Sequence, residues 1–227
     1  MIRRFLPVGG HFLLLVGLAL AVPIASQTPA TQSTPVQQRK TSPPYTGDFS
    51  LFEYKDRDQK LQVERVMDIL GIAAGKSVAD IGAGSGWFTV RAARRVMPAG
   101  LVYAVDINPE AIPYIQARAK TEGIGNVRMI LSKPEDPLLP ARSVDAVLLL
   151  KTYHEVADPV ALLKSLHKAL RARARIGIID RNGNGENHGV SRDIVMQEAG
   201  QAGYRVIGEY DFVKGDGEDY FLVFEPL

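Results

Sequence analysis

Three glycines at alternate positions, Gly82, Gly84 and Gly86, follow a short apolar run that ends at Ile81. Glycine adopts positive φ and lets the backbone approach a ligand closely, and a helix beginning near Trp87 would present free N–H groups beside the glycines. The same pattern is also typical of a tight strand-to-helix turn that binds nothing. The glycines therefore indicate a ligand-binding loop only when a second feature supports them.

That second feature is Asp106, which ends the next apolar run twenty positions after Gly86. A carboxylate at this place can accept hydrogen bonds from both ribose hydroxyls of an adenosine-containing ligand. The alternative is that Asp106 caps the following helix, a role that Asn108 could fill equally well. A dinucleotide fingerprint needs a glycine three positions after Gly84, where Trp87 stands, so a nicotinamide-dependent oxidoreductase is disfavoured.

An alternation of short apolar runs and helical patterns would position these residues. Four runs have the length and aliphatic composition of buried strands, at residues 77–81, 101–106, 144–150 and 175–180. Helical patterns cover residues 58–70, 87–97, 109–121 and 159–171. This alternation is typical of a parallel sheet covered on both faces, in which ligands bind beyond the carboxyl ends of the strands.

The C-terminal part departs from the alternation. Ser191 could cap a helix running to about residue 202, after which apolar runs at 204–212 and 220–224 flank Gly215-Asp216-Gly217. Such a glycine-rich turn between two apolar runs indicates a hairpin. We therefore expect an α/β, Rossmann-like doubly wound sheet that is mostly parallel and ends in an antiparallel hairpin.

The residues at both motifs resemble those of a known family. Residues 78–86, Val-Ala-Asp-Ile-Gly-Ala-Gly-Ser-Gly, are similar to the first motif of class I methyltransferases that use S-adenosylmethionine (SAM). Val105-Asp106-Ile107 resembles the ribose-binding motif of these enzymes. The resemblance extends over about residues 63–224, including residues 143–147 at the fourth strand. It implies a seven-stranded sheet, SAM as the cofactor and methyl transfer as the activity.

The resemblance also implies roles for individual residues. Asp80 would lie near the methionine part of SAM, Asp106 would hold the ribose, and Glu135 or Asp136 would lie near the adenine. The segment Ser132-Lys133-Pro134 departs from the Gly-Asp-Ala that the family often has there. The expected cofactor-binding residues are Asp80, Ile81, Gly82, Ala83, Gly84, Gly86, Asp106, Ile107, Glu135 and Asp136.

The residues that follow the fourth strand are candidates for catalysis. Tyr153-His154-Glu155, like residues 138–140 before that strand, resembles a bacterial group of type 11/25-like methyltransferases with mostly unassigned substrates. Methyl transfer from a sulfonium needs alignment and exclusion of water, but a hydroxyl or carbon acid must also lose a proton. His154 is the candidate base, with Tyr153 and Glu155 beside it. The alternative is that Tyr153 packs, His154 is solvated and Glu155 supports the next helix.

Two further residues bear on the substrate and on metals. Lys151 stands where similar sequences often carry an acidic residue, so a substrate cation need not be recognised there. His188 belongs either to a lid over the acceptor pocket or to the loop surface. His154 and Glu155 are not followed by histidine at the zinc-protease spacing, where Asp158 stands, so we predict no catalytic metal.

Composition limits the classes of partner. The chain has 227 residues, of which 46% are hydrophobic and 23% charged, as in a globular protein with room for one domain. The net charge is +2 and the basic residues are scattered, so we expect no nucleic acid. The absence of cysteine excludes disulfides, thiolate metal sites and cysteine nucleophiles. The expected acceptor is a small or lipid-like molecule.

The N-terminal segment has the order of a secretory signal. Arg3 and Arg4 precede an apolar run over residues 12–22 and then small residues, and Ala19-Leu20-Ala21 offers a cleavage site. We predict a signal peptide over residues 1–25, or an uncleaved anchor that associates with the membrane. Residues 26–48, rich in Gln, Thr, Ser and Pro, predict a disordered linker, and residues 49–227 the methyltransferase domain.

Export creates a conflict that leaves two functions open. The signal predicts an exported chain, periplasmic or anchored to the membrane, whereas SAM is made in the cytoplasm. The first function is SAM-dependent methyl transfer. The alternative is an exported, non-catalytic module of methyltransferase fold that binds SAM or a nucleotide.

Overall fold

Seven strands form one sheet in the computed structural model, which describes residues 39–227 together with Gly9. The strands are β1 Ser77–Ile81, β2 Leu101–Asp106, β3 Val127–Leu131, β4 Val144–Leu150, β5 Leu170–Asp180, β6 Tyr204–Tyr210 and β7 Tyr220–Pro226. Their order is β3-β2-β1-β4-β5-β7-β6, and all neighbours are parallel except that β7 is antiparallel to β5 and β6. The predicted Rossmann-like sheet with an antiparallel C-terminal hairpin is confirmed.

Six α-helices lie between these strands or before them in the described part of the chain. They are α1 Arg57–Leu61, α2 Val63–Leu70, α3 Trp87–Val96, α4 Ala111–Thr121, α5 Pro159–Ala169 and α6 Arg192–Gln201. Helix α5 begins as its sequence predicts, because the Asp158 side chain accepts a hydrogen bond from the Ala161 N–H and Pro159 occupies the first turn. Ser191 precedes α6, but its side chain makes no capping hydrogen bond there.

Two elements differ from the sequence-based expectation. Strand β3 was not among the runs recognised from composition, because it lies at the sheet edge and its residues are only half-buried or exposed. The helix predicted over residues 58–70 is divided into α1 and α2 at Gln62, whose φ is 55°. The left-handed conformation of one residue interrupts the helix, although the apolar spacing continues through it.

The core has a layer on each face of the sheet. On one face, α5 and α6 bury residues such as Leu163, Leu166 and Val195 against the strands. On the other face, α2 and α3 bury residues such as Met67 and Val90. Both faces of β1 and β4 are therefore covered, which leaves the carboxyl ends of these strands as the place where side chains reach a ligand.

Part of the predicted linker, the segment before the first helix, is packed against the domain. The linker was expected to end at residue 48, but residues 39–48 are packed against the domain. The Arg39 guanidinium lies 3.0 Å from the Glu198 carboxylate, and the buried Ser42 donates its N–H to the His154 carbonyl at 3.2 Å. Its Ser- and Pro-rich composition favours an extended backbone, which is nevertheless ordered where the domain supplies partners for its polar groups.

The predicted signal peptide, residues 1–25, lies outside the described residues apart from Gly9, as do residues 26–38 of the predicted linker. The described residues 39–227 belong to one compact unit. Within the described ranges, we find no helix with the length and apolarity needed to cross a membrane.

Candidate active site

The glycine loop connects β1 to α3 and has three glycines at positive φ, with values of 70° at Gly82, 52° at Gly84 and 72° at Gly86. The Gly82 and Ala83 N–H groups donate to the Val105 carbonyl of β2 at 2.8 and 3.1 Å, which fixes the loop to the neighbouring strand. A Cβ on Gly82 would collide with the Thr152 side chain. Gly84 has no such neighbour and presents bare backbone to the space above the sheet.

The Asp106 carboxylate is hydrogen-bonded to this loop. One oxygen accepts from the Gly84 N–H and the other from the Asn108 N–H, each at 2.8 Å. Burial raises the pKa of Asp106, an effect opposed by the backbone N–H donors. The spacing in the sequence thus brings the carboxylate and the glycines into direct contact.

A cavity of about 450 Å³ lies beside the glycine loop and Asp106. Its volume is in the range of small-molecule sites. The segment before α1 and the loops opposite it supply an apolar wall, composed of Pro43, Pro44, Tyr45, Phe49, Phe52, Ile107, Pro134, Pro137, Val156 and Leu162. Sequence reasoning missed the first five of these residues, because they lie in or next to the segment that composition assigned to a linker.

Asp80, the next-to-last residue of β1, lies at the floor of the cavity and is buried. Its carboxylate accepts a hydrogen bond from the Thr89 hydroxyl at 2.6 Å. The pKa of Asp80 is raised to about 7, mainly by burial; the hydrogen bond from Thr89 lowers the pKa, the nearby Asp106 raises it, and Arg57 lowers it. A carboxyl group that changes charge near neutral pH therefore lies under the cavity.

Three basic side chains also line the cavity: Arg57, Lys151 and, in the loop after β3, Lys133. The buried Arg57 guanidinium lies 4.1 Å from the centre of the Trp87 ring and donates to the Phe52 carbonyl at 2.6 Å. Lys151 pairs with Glu218 at 2.8 Å and with Asp216 at 3.2 Å. No local pattern in the sequence marks Arg57, because α1 and the cavity meet only through the tertiary fold.

Of the three candidate catalytic residues, Glu155 lines the cavity, whereas Tyr153 and His154 do not. Tyr153 is fully buried outside the cavity lining and donates its hydroxyl to the Glu198 carboxylate at 2.8 Å. His154 is buried rather than solvated, and its Nδ1 lies 2.9 Å from Oδ1 of Asp180, at the end of β5. Glu155 lines the cavity, and burial raises the pKa of its carboxyl to about 7.

The expected cofactor residues lie in one place with three exceptions. The cavity lining includes Asp80, Ile81, Gly82, Ala83, Gly84, Asp106 and Ile107. Gly86 does not line the cavity, because it begins α3 and faces the Ile115 side chain.

The residues expected near the adenine need a correction. Glu135 and Asp136 do not line the cavity, whereas Ser132, Lys133 and Pro134 do. The Asp136 carboxylate instead accepts hydrogen bonds from the Ser165 hydroxyl at 2.9 Å and the Leu138 N–H at 3.0 Å. The loop after β3 turns between Lys133 and Asp136, and the Asp136 carboxylate contacts α5 and not the glycine loop.

Comparison with known families gives a match over residues 72–202, which is more than half of the chain, to a family model described as a methyltransferase domain. The matched region includes the glycine loop, Asp106 and residues 153–155. The family model therefore covers strands β1 to β5 and the glycine loop, whereas the cavity-lining residues before residue 72 lie outside it.

Individual relatives agree with the family match. Nocamycin O-methyltransferase from Saccharothrix syringae is 32% identical over 114 residues, 50% of this chain and 41% of the relative. Aklanonic acid methyltransferase DauC from Streptomyces sp. (strain C5) is 36% identical over 84 residues, 37% of this chain and 38% of the relative. The match thus spans less than half the length of these curated relatives.

A solved structure shows the same fold. The SAM-dependent methyltransferase from Aquifex aeolicus superposes with a TM-score of 0.71 at 24% identity, covering 80% of this chain and 100% of the other.

Proposed function

This chain belongs to the methyltransferase domain family, and we propose that it transfers a methyl group from SAM to a small-molecule or lipid-like acceptor. One observation carries the proposal: the Asp106 carboxylate and the open backbone of Gly84 meet at 2.8 Å on the edge of the cavity. The carboxylate can accept hydrogen bonds from the ribose hydroxyls of SAM, and the glycine lets the part of SAM attached to the ribose approach the backbone.

The residues present fit SAM as the cofactor. Gly84 leaves room for a close approach to the backbone, Asp106 offers carboxylate oxygens for ribose hydroxyls, and Asp80 supplies an acidic group for a cationic ligand. Ser132 and Lys133 replace Glu135 and Asp136 as the proposed neighbours of the adenine. Bound SAM would supply a methyl group activated by the sulfonium, and the protein would align the acceptor and exclude water.

The apolar wall favours an acceptor with a largely apolar body. Pro43, Pro44 and Tyr45 approach from the segment before α1 and would cover an acceptor held above the glycine loop. Glu155 is the member of the predicted catalytic trio that lines the cavity, so we assign it the contact with the acceptor. His154, held by Asp180, acts as a positioning residue for Glu155. The names of the relatives, which refer to nocamycin and aklanonic acid, support a small-molecule acceptor.

Calorimetric titration of the full chain with SAM and S-adenosylhomocysteine tests the proposal. We expect one binding site per chain, and Asp106→Asn should weaken binding by about 1 to 3 kcal/mol because it removes charge from an acceptor of several hydrogen bonds. Asp136→Asn is the matched control, since its carboxylate lies outside the cavity lining, and it should leave affinity unchanged. A chain that binds neither compound, or binds NADH tightly instead, would refute the proposal.

The alternative of a non-catalytic exported module gains no support from the described residues. It would be favoured by a chain that binds SAM but transfers no methyl group to any apolar hydroxyl compound in a broad acceptor screen. We therefore retain methyl transfer as the proposed activity.

A further inference from the structure

We propose that His154, Glu155 and His188 form a binding site for a divalent transition-metal ion at the wall of the cavity. Each side chain offers one ligand atom, and these atoms all lie within 4.8 Å of one another. His154 and Glu155 come from the turn after β4, whereas His188 comes from the loop between β5 and α6. Two imidazoles and one carboxylate are a donor set found in zinc and non-haem iron sites.

The orientation of His154 is the first support for this site. Both oxygens of the fully buried Asp180 lie close to Nδ1 of His154, at 2.9 and 3.0 Å. Because a carboxylate accepts, Nδ1 is the donor to Asp180, which leaves Nε2 as the nitrogen that can bind a metal ion. A carboxylate behind a histidine in this way fixes the ring and makes the other nitrogen a better metal ligand.

The approach of Glu155 is the second support. Its Oε1 lies 3.8 Å from Nε2 of His154, outside hydrogen-bond distance. No hydrogen bond joins the two atoms directly, so both remain available as ligands for an ion placed between them. Two ligands of a tetrahedral zinc ion are roughly 3.4 Å apart, given metal–ligand bonds of about 2.1 Å. A small side-chain rotation would bring the two atoms to that separation.

The position of His188 is the third support. Its backbone N–H donates to the Ser42 hydroxyl at 2.9 Å and its carbonyl accepts from the Arg181 guanidinium at 2.8 Å. The backbone has a φ of 56°, which is unfavourable for a residue other than glycine. The imidazole lies edge-on to that of His154, with ring centres 5.6 Å apart. The loop is thus fastened on both sides of His188 so that the ring points at His154.

The donor types select the class of ion. Imidazole nitrogen suits Zn²⁺, Co²⁺ and Fe²⁺, whereas Mg²⁺ and Ca²⁺ prefer oxygen ligands. Three protein ligands leave at least one coordination position open, as in catalytic zinc sites. Glu155 also lines the cavity, which places the ion at the boundary between the site and the space for the acceptor. The zinc-protease spacing could not reveal this set, because His188 follows Glu155 by 33 positions.

The test is titration of the untagged, metal-free full chain with Co²⁺, followed by calorimetry and by visible d–d absorption. We expect one Co²⁺ per chain, absorption typical of nitrogen and oxygen ligands, and displacement by Zn²⁺. Asp180→Asn should weaken Co²⁺ binding by about 10- to 100-fold, since it removes the partner that orients the ligand. The proposal would be overturned if the parent chain bound neither Co²⁺ nor Zn²⁺ at one ion per chain.

His188→Asn is the decisive variant. Asparagine tolerates positive φ, and residue 188 is exposed, so the variant should keep the circular dichroism spectrum and melting temperature of the parent. It should lose Co²⁺ binding and the visible absorption. His167→Asn, at an exposed histidine on α5, is the control and should change neither. Parent-like Co²⁺ affinity in His188→Asn would contradict the site, and neither outcome depends on whether the chain binds SAM.

Discussion

At the scale of single residues, Asp80 connects the chemistry of the cavity to pH. Burial raises the pKa of its carboxyl from 3.8 to about 7, so the folded domain holds a proton that the unfolded chain releases. This contribution to the free energy of unfolding is fully present below pH 3.8 and is lost as the pH rises through about 7. A cationic cofactor has the opposite preference, because it is attracted to the ionised carboxylate.

We therefore predict that SAM affinity increases as the pH rises through about 7, while the stability of the cofactor-free chain falls between pH 3.8 and about 7 and levels off above it. Asp80→Asn should reduce the pH dependence of both, because its side chain does not titrate, and should leave the part of the stability profile that comes from Glu155, whose pKa burial also raises to about 7. Calorimetric affinity and thermal melting across this pH interval measure the two effects. An identical pH dependence in the variant would assign the effect to another group.

A second residue-scale prediction concerns the turn after β4. Glu155→Gln and His154→Asn should each lower kcat by about 100-fold or more if the pair contacts and positions the acceptor. Their affinity for SAM should remain that of the parent, because the glycine loop and Asp106 are unchanged. Single-turnover kinetics with an identified acceptor, together with SAM titration, separate these quantities. Parent-like turnover in both variants would leave His154 and Glu155 with a packing role.

At the scale of elements, the segment over residues 39–48 is the part that converts an open sheet edge into a cavity. Ser42 is buried, donates its hydroxyl to the Gly185 carbonyl at 3.0 Å and accepts from the His188 N–H. A Cβ at Gly185 would collide with the Lys40 carbonyl. Contact between this segment and the loop after β5 thus depends on glycine at position 185.

We predict that Gly185→Ala displaces the segment and frees the backbone at Arg39 and at the already exposed Lys40 for cleavage by trypsin. Gly203→Ala is the matched control, since Gly203 has a φ of 89° against 92° for Gly185 and no atom near its Cβ position. In both variants the left-handed conformation of the alanine should lower the free energy of unfolding by about 1 to 2 kcal/mol. Only Gly185→Ala should also show faster cleavage near residue 40 and weaker SAM binding. Equal behaviour of the two would mean that the segment does not depend on this contact.

At the scale of the whole molecule, the N-terminal sequence and the domain point to different compartments. The N-terminal sequence predicts an exported protein, whereas the family of the domain uses SAM, a cofactor made in the cytoplasm. We predict that the full chain, expressed in a bacterium, begins after Ala21 or Ala25 when recovered from the periplasm, as mass spectrometry of its N-terminus would show. An intact N-terminus in the membrane fraction would support the uncleaved anchor. An intact N-terminus in the cytoplasmic fraction would contradict export.

The sequence by itself determined the features that are encoded locally. The glycine loop and Asp106 are separated by one helix and one strand, so their spacing predicted their contact before any coordinates were known. The alternation of apolar runs and helical patterns predicted a mostly parallel sheet, because periodicity depends on which faces a segment buries. The turn between the last two runs likewise predicted the hairpin.

Only the tertiary structure decided which distant residues complete the site. Contacts between segments far apart in the chain bring Arg57 to the cavity, and Asp180 and His188 to the His154 ring, and no periodicity records such contacts. Edge strand β3 and the ordering of residues 39–48 were missed for the same reason, since partners elsewhere in the fold stabilise them. Local sequence spacing determines which secondary structure a segment can form, whereas long-range packing determines which distant side chains it contacts.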